Sequence, residues 1–234
     1  MANKEQKSTT DRRRFLGSLA SGAAAMSLAT LTPSLNLRAE ETNNSILSAD
    51  DPDKWFDQIQ GKHRVVYDAT QPHDIFPFAW PRVFLLTNEK TGTPAKDCSV
   101  VVVLRHSAIG YAMEHKLWEK YGLGELFHAE DPETKKPATR NPFWQPKSGA
   151  FTVPGFGAIP IGINELQADG VMFCVCDAAL TVYSAAVAGK MNTDAAAMKK
   201  EWVAGLLPKI QVVPSGVWAL GRAQEHKCAY IFAG

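Results

Sequence analysis

Six consecutive apolar residues stand in the second half of the chain, Val171-Met172-Phe173-Cys174-Val175-Cys176. A short run that is apolar at every position is typical of a strand buried on both faces, as in a parallel sheet. Asp177 follows directly and can cap a helix that runs to Ala188 and stops at Gly189. The segment therefore predicts a strand joined at once to a helix.

The same alternation extends outward from this segment in both directions. Short β-branched or apolar runs stand at 64–67, 99–104, 210–213 and 229–232. Stretches with helical apolar spacing separate most of them, including Trp80 to Asn88, with Pro81 in its first turn, and Ala108 to Tyr121. Strands that alternate with helices are typical of a parallel sheet covered by helices. We therefore predict an α/β fold with an open, mostly parallel five-stranded sheet and helices on both faces.

Composition and charge limit the classes of function. The 234 residues are 45% apolar and 21% charged, which is ordinary for a globular protein. Residues 1–39 hold six of the 25 Lys and Arg and two of the 24 Asp and Glu, so the rest of the chain has a net charge near −3. Such a protein has no general attraction to nucleic acid or anionic lipid. There is also no Walker loop and no Gly-x-Gly-x-x-Gly motif to cradle a nucleotide.

The first residues have the features of an export signal. Arg12-Arg13-Arg14 precedes an uncharged stretch, Phe15 to Leu31, and Leu37-Arg38-Ala39 offers a small-residue cleavage site. Paired arginines ahead of Phe-Leu resemble the twin-arginine signal of bacteria, which predicts a periplasmic protein. An amphipathic N-terminal helix or an uncleaved membrane anchor is the alternative interpretation, in which case this segment would be the protein's membrane contact.

The remaining chain divides into a tether and one domain. Residues 40–52 are polar and acidic and read as a tether after the signal at 1–39, and residues 53–234 form the predicted α/β domain. Within it, residues at about 122–157 are polar, proline-rich and aromatic. We interpret them as an insertion that leaves the core, as a lid or an oligomer contact.

Reactive side chains follow the predicted strands where each strand ends. Ligands of open parallel sheets bind beyond the carboxyl ends of the strands, so these residues should lie along one edge. They include a thiol, imidazoles, a guanidinium and a hydroxyl, which is more reactive chemistry than a packing surface needs. The candidate site residues are Cys176, His106, Arg105, Ser215 and His73.

Cys176 is the main candidate because it stands where a strand ends and a helix begins. The positive end of a helix dipole favours a thiolate, the form that attacks sulfur or binds soft metals. Asp177 works against this, and Arg105 or His106 could offset it. The alternative is that Cys176 is a small buried apolar residue.

The other candidates suggest two more hypotheses. Cys176 with His73 and His106 could bind a soft metal such as copper or zinc. Cys174 lies two residues from Cys176, too far along a strand for a disulfide, so we expect it in the core. Cys98 and Cys228 precede strands on the opposite edge and could form a disulfide if those strands are neighbours.

A family resemblance covers about 67 residues, from Glu165 to Ile231. Gly170-Val171 ahead of Phe173 and Cys176, the turn Val212-Val213-Pro214-Ser215-Gly216-Val217 and the final Ala229-Tyr230-Ile231 resemble the DsrE/DsrF-like family. The resemblance implies a compact α/β sheet that assembles into trimers or hexamers.

The resemblance also implies a function. Better-understood members of the family relay sulfur as a cysteine persulfide, and their functional cysteine falls at Cys176. We therefore expect a sulfur carrier that exchanges sulfur with a partner protein and needs no organic cofactor. Arg105 and His106 would stabilise the thiolate or a sulfur oxyanion, and Ser215 would add a hydroxyl or a helix amide. The rival hypotheses are the soft-metal protein and a non-catalytic oligomeric envelope protein.

Overall fold

The computed structural model describes residues 51–234. The predicted export signal at 1–39 and most of the tether lie outside the described residues. At the end of the predicted tether, Asp51 caps a short helix, α1 (Pro52–Trp55). Within the described part, no helix is both long and apolar enough to span a membrane.

Seven strands and eight α-helices make up the described chain. The strands are β1 (His63–Ala69), β2 (Cys98–Leu104), β3 (Thr152–Val153), β4 (Gly157–Ala158), β5 (Met172–Cys176), β6 (Ile210–Val213) and β7 (Ala229–Phe232). The helices after α1 are α2 (Phe76–Lys90), α3 (His115–Tyr121), α4 (Leu123–Phe127), α5 (Ile163–Ala168), α6 (Asp177–Met191), α7 (Ala195–Ala204) and α8 (Gly216–Glu225). Three short 3-10 helices occupy Phe56–Gln58, Ala95–Asp97 and His106–Ala112.

Five strands form one parallel sheet in the order β6-β5-β2-β1-β7. The predicted α/β class with a five-stranded parallel sheet is confirmed. Because all five strands run the same way, their carboxyl ends share one edge, as the sequence analysis expected. The small hairpin β3-β4 is separate and antiparallel.

The two faces of the sheet carry separate apolar clusters. On one face, alternate residues of β1 and β2, including Tyr67 and Val102, pack with Phe78 of α2. On the other, Val66 and Val101 pack with residues of α8 and with Phe56 after α1. Alternation along each strand explains why both faces are buried, and the prediction of helices on both faces is confirmed.

Two predicted helices differ from those observed. The first was expected to start at Trp80 with Pro81 in its first turn, but α2 starts at Phe76, so Pro77 takes that place and Pro81 lies inside the helix. The helical spacing from Ala108 to Tyr121 belongs to two elements, the 3-10 helix His106–Ala112 and α3.

The segment at 122–157 is less of an excursion than expected. Phe127, Phe143 and Phe151 are buried in the larger cluster, and the Phe143 ring stacks on Phe78 at 4.2 Å between centroids. The buried Asn141 side chain donates to the carbonyls of Tyr111 and Met113 at 2.8 and 2.9 Å. These contacts pack the segment against the rest of the domain. Its buried rings contribute to the core, and the Asn141 amide can be buried because it is hydrogen-bonded.

Candidate functional site

Cys176 ends β5 and also caps α6. Its Sγ accepts a hydrogen bond from the backbone N–H of Ala179 at 3.3 Å. The expectation that Asp177 caps this helix is wrong, because the strand continues directly into the helix and Asp177 is its first residue. Gly189 does not stop the helix either, since the helix runs to Met191 and ends at Asn192 in a left-handed conformation. Cys176 is only 7% exposed. The sulfur therefore sits at the positive end of a 15-residue helix, with narrow access to solvent.

The carboxylate beside this sulfur has a cationic partner. Asp177 Oδ2 lies 2.8 Å from Nζ of Lys199, on the neighbouring helix α7. The ion pair with Lys199 compensates the negative charge that stands next to Cys176 in the sequence.

Arg105 follows β2 and makes a two-pronged ion pair with Asp68, at the end of β1. Its Nε lies 2.6 Å from Oδ1 and its Nη2 lies 2.9 Å from Oδ2. Asp68 is 1% exposed, and the Tyr230 hydroxyl donates to its Oδ2 at 2.8 Å. The hydrogen bonds to Asp68 raise the pKa of Arg105 most. Negative charge on Asp68, Tyr230 and Cys176 raises that pKa further, while burial opposes these effects.

The first residues of helices α6 and α8 lie close together at this edge, and Arg105 packs against the start of α8. A Cβ built on Gly216, the first residue of α8, would come within 2.5 Å of Cβ of Arg105, so the arginine stem lies directly on this helix end. The backbone N–H of Ala178 in α6 donates to the Pro214 carbonyl at 3.3 Å. Among the residues that the structure describes, no group accepts a hydrogen bond from Nη1 of Arg105, whose side chain is 27% exposed. One end of the guanidinium is therefore available to an anionic group.

Ser215 lies at this edge, where its hydroxyl oxygen is bonded to a backbone N–H. Its Oγ accepts from the N–H of Trp218 at 3.2 Å and caps α8. The hydroxyl hydrogen is left to donate, so the predicted position beside the arginine is compatible with a second role.

The two candidate histidines are placed differently. His106 takes a left-handed conformation with φ 49°, and its Nε2 lies 3.3 Å from the Tyr183 hydroxyl. His73 packs against Phe76 and lines a separate cavity. Across residues 51–234, no three His, Cys, Asp or Glu side chains come together so that they could hold a metal ion.

The other cysteines are free thiols in the described chain. Cys174 is fully buried in the smaller cluster, as expected for a core residue, and burial raises the pKa of its thiol. Cys98 starts β2 and Cys228 precedes β7. The condition for a disulfide between them fails because β1 lies between their strands. Strands two positions apart are separated by about 10 Å, too far for a disulfide.

Sequence reasoning missed the partners of Arg105. Neither Asp68 nor Tyr230 is among the candidate site residues predicted from the sequence. The sequence does offer one signal, because Asp68 directly follows the apolar run Val65–Tyr67. A carboxylate at the end of a buried strand needs a partner, which predicts a nearby cation.

Comparisons with known proteins add little. No family model matches the chain, and no curated protein matches it at the significance required. Among solved structures, the chain is similar to a protein of unknown function, MTH1491, from Methanobacterium thermoautotrophicum, with 18% identity and a TM-score of 0.34. The match covers 73% of this chain and 99% of that one.

Proposed function

We propose that the protein is a sulfur carrier of DsrE/DsrF-like type that holds sulfane sulfur as a persulfide on Cys176. The observation that carries the proposal is the Cys176 sulfur at the start of α6, bonded by the Ala179 N–H at 3.3 Å. The positive end of a helix dipole stabilises a neighbouring anion, and the thiolate is the form of cysteine that attacks sulfur. The resemblance of residues 165–231 to the family points to the same cysteine.

The proposed transfer needs no oxidant, reductant or cofactor. The Cys176 thiolate attacks the outer sulfur of a persulfide or polysulfide donor. A new S–S bond forms at Cys176, the donor's S–S bond breaks, and the donor leaves as a thiolate with the electron pair. An acceptor thiolate on a partner protein then takes the outer sulfur by the same exchange and restores the Cys176 thiolate.

Arg105 supports this chemistry through its charge and its orientation. The ion pair with Asp68 uses Nε and Nη2, which leaves Nη1 for the terminal sulfur of a persulfide or for a sulfur oxyanion. Lys199 compensates the negative charge of Asp177, the residue that follows Cys176. In this proposal His106 lies at the margin of the site, where it contacts Tyr183.

Mass spectrometry after polysulfide treatment tests the carrier role. We expect Cys176 to gain about 32 Da per sulfur atom in the full chain. The gain should disappear in Cys176→Ser and persist in Cys228→Ser, a matched control. Sulfur found on Cys98 or Cys228 while Cys176 stays unmodified would end the proposal.

A charge-conserving variant tests the role of Arg105. Lysine keeps the positive charge but cannot make the two-pronged bond to Asp68, so we expect Arg105→Lys to slow persulfide formation at least about fivefold. An unchanged rate in this variant would show that the guanidinium geometry plays no part.

If Cys176→Ser leaves the cellular role of the protein intact, a non-catalytic envelope protein is the better description.

Export through the twin-arginine pathway is part of the proposal. The supporting feature is Arg12-Arg13-Arg14 ahead of the uncharged stretch from Phe15. Cell fractionation should find the protein in the periplasm. The double variant Arg12→Lys and Arg13→Lys should leave it in the cytoplasm, and periplasmic accumulation of that variant would refute this route.

A trimer or hexamer of this chain is also proposed. The edge strand β7 exposes apolar side chains, with Tyr230 at 45%, Ile231 at 39% and Phe232 at 58%. Exposed apolar edge strands favour association. Light scattering on the purified chain should give the mass of a trimer or hexamer, and Phe232→Asp should lower it. A monomer at micromolar concentration would contradict this assembly.

A further inference from the structure

A cavity opens at the carboxyl end of β1, and Cys176 does not line it. Its volume is about 550 Å³, within the usual range of small-molecule sites. The loop between β1 and α2 forms one wall, and the chain after α4 forms the other. Cys176, Arg105 and Ser215 do not line it. The cavity is therefore separate from the proposed sulfur site.

Tyr111 provides an unpaired hydroxyl in this cavity. Its ring is held by Phe78, Phe143 and Trp118, with centroids 5.2, 5.3 and 5.8 Å away. The residue is 3% exposed, yet within the described residues its Oη has no hydrogen-bond partner. The Oη is not one of the fully enclosed polar atoms of the described residues, so it faces the cavity. A rigid aromatic residue thus presents one hydroxyl that can donate and accept hydrogen bonds to a ligand there.

Charged side chains of both signs surround the opening. Asp74, Glu130 and Lys135 line the cavity and carry a net charge of −1 when the two lining histidines are neutral. Burial and then the negative charge of Asp74 raise the pKa of Tyr111. Asp74 has a left-handed backbone conformation, with φ of 45°.

We propose that this cavity binds a basic amino acid or a close analogue. The two carboxylates match the two cationic groups of L-arginine or L-lysine, and Lys135 matches the ligand's carboxylate. The Tyr111 hydroxyl bonds one of the polar groups, and Ile75 and Phe76 contact the aliphatic stem. A metal does not fit, because the described residues hold no group of three ligating side chains.

Isothermal titration calorimetry of the full chain with L-arginine and L-lysine tests the proposal. We expect saturable binding of at least one of them, and clearly weaker binding of L-glutamate. Tyr111→Phe removes only the hydroxyl and should weaken binding about fivefold to tenfold. Asp74→Asn should weaken it at least as much, and asparagine tolerates the left-handed backbone, so this second variant keeps the fold.

Two controls separate this site from the rest of the molecule. Tyr121 bonds to Glu201 outside the cavity, so Tyr121→Phe should bind as the wild type does. Cys176→Ser should also bind normally, which keeps the result independent of the sulfur-carrier proposal. No saturable heat with either basic amino acid, equal binding of L-glutamate, or unchanged binding in both Tyr111→Phe and Asp74→Asn would overturn the proposal.

Discussion

Replacing Asp68 with asparagine removes the negative charge that holds Arg105 and leaves the side-chain volume almost unchanged. Asp68 is 1% exposed and accepts three hydrogen bonds, two from Arg105 and one from Tyr230. Asparagine retains one acceptor oxygen and places an NH2 group against the remaining donors. The variant therefore loses the charge of the ion pair and at least one of the three hydrogen bonds.

The size of the effect follows from the burial of the two partners. Breaking a buried ion pair by removing one charge costs about 3–5 kcal/mol. Arg105 is 27% exposed and can regain some water, so the lower end applies, about 3 kcal/mol. Tyr230→Phe removes one hydrogen bond to the carboxylate and should cost about 1 kcal/mol.

Urea unfolding followed by circular dichroism measures these free energies. Asp53→Asn is the matched control, because Asp53 pairs with Arg222 at 2.6 Å at the surface, where an ion pair adds little to stability, and this variant should be destabilised clearly less than Asp68→Asn. If Asp68→Asn destabilises the protein no more than Asp53→Asn does, the ion pair does not hold the end of the sheet together and the reasoning fails.

Three further predictions concern the helix start, the thiols and pH. Gly216→Ala should displace Arg105 and slow persulfide formation on Cys176 several-fold. Gly221→Ala in the same helix has open space at its Cβ and should leave the rate unchanged. Equal rates in the two variants would contradict the close packing of Arg105 on Gly216. Burial raises the pKa of Cys228 to about 11, so its iodoacetamide labelling should rise about tenfold per pH unit from pH 8 to 10, and a plateau below pH 10 would contradict this. Burial lowers the pKa of His115, so the unfolded state binds more protons below the unfolded pKa near 6.5. The free energy of unfolding should therefore fall as pH drops from 7 to 5, and His115→Gln should reduce that fall; an identical pH dependence in the variant would argue against it.

Much of the fold could be predicted because its signals are local. Apolar runs such as 99–104 and 171–176 indicate strands buried on both faces, whichever strands they pair with. The Cys176 position at a strand-to-helix junction was predicted in the same way. The helix boundary at Asp177 was wrong by one residue, because the sulfur itself caps the helix and composition alone favours an Asp cap.

The sequence alone determined the α/β class, the five strands and a cysteine at the carboxyl edge, because the hydrophobic period of each segment depends only on neighbouring residues. Only the tertiary structure decided that β1 lies between β2 and β7, since strand partners are chosen by contacts between distant parts of the chain. That order brings Tyr230 to Asp68 across 162 residues of sequence and keeps Cys98 and Cys228 apart. It also brings Arg105 to the start of α8, a contact that no local pattern of residues encodes.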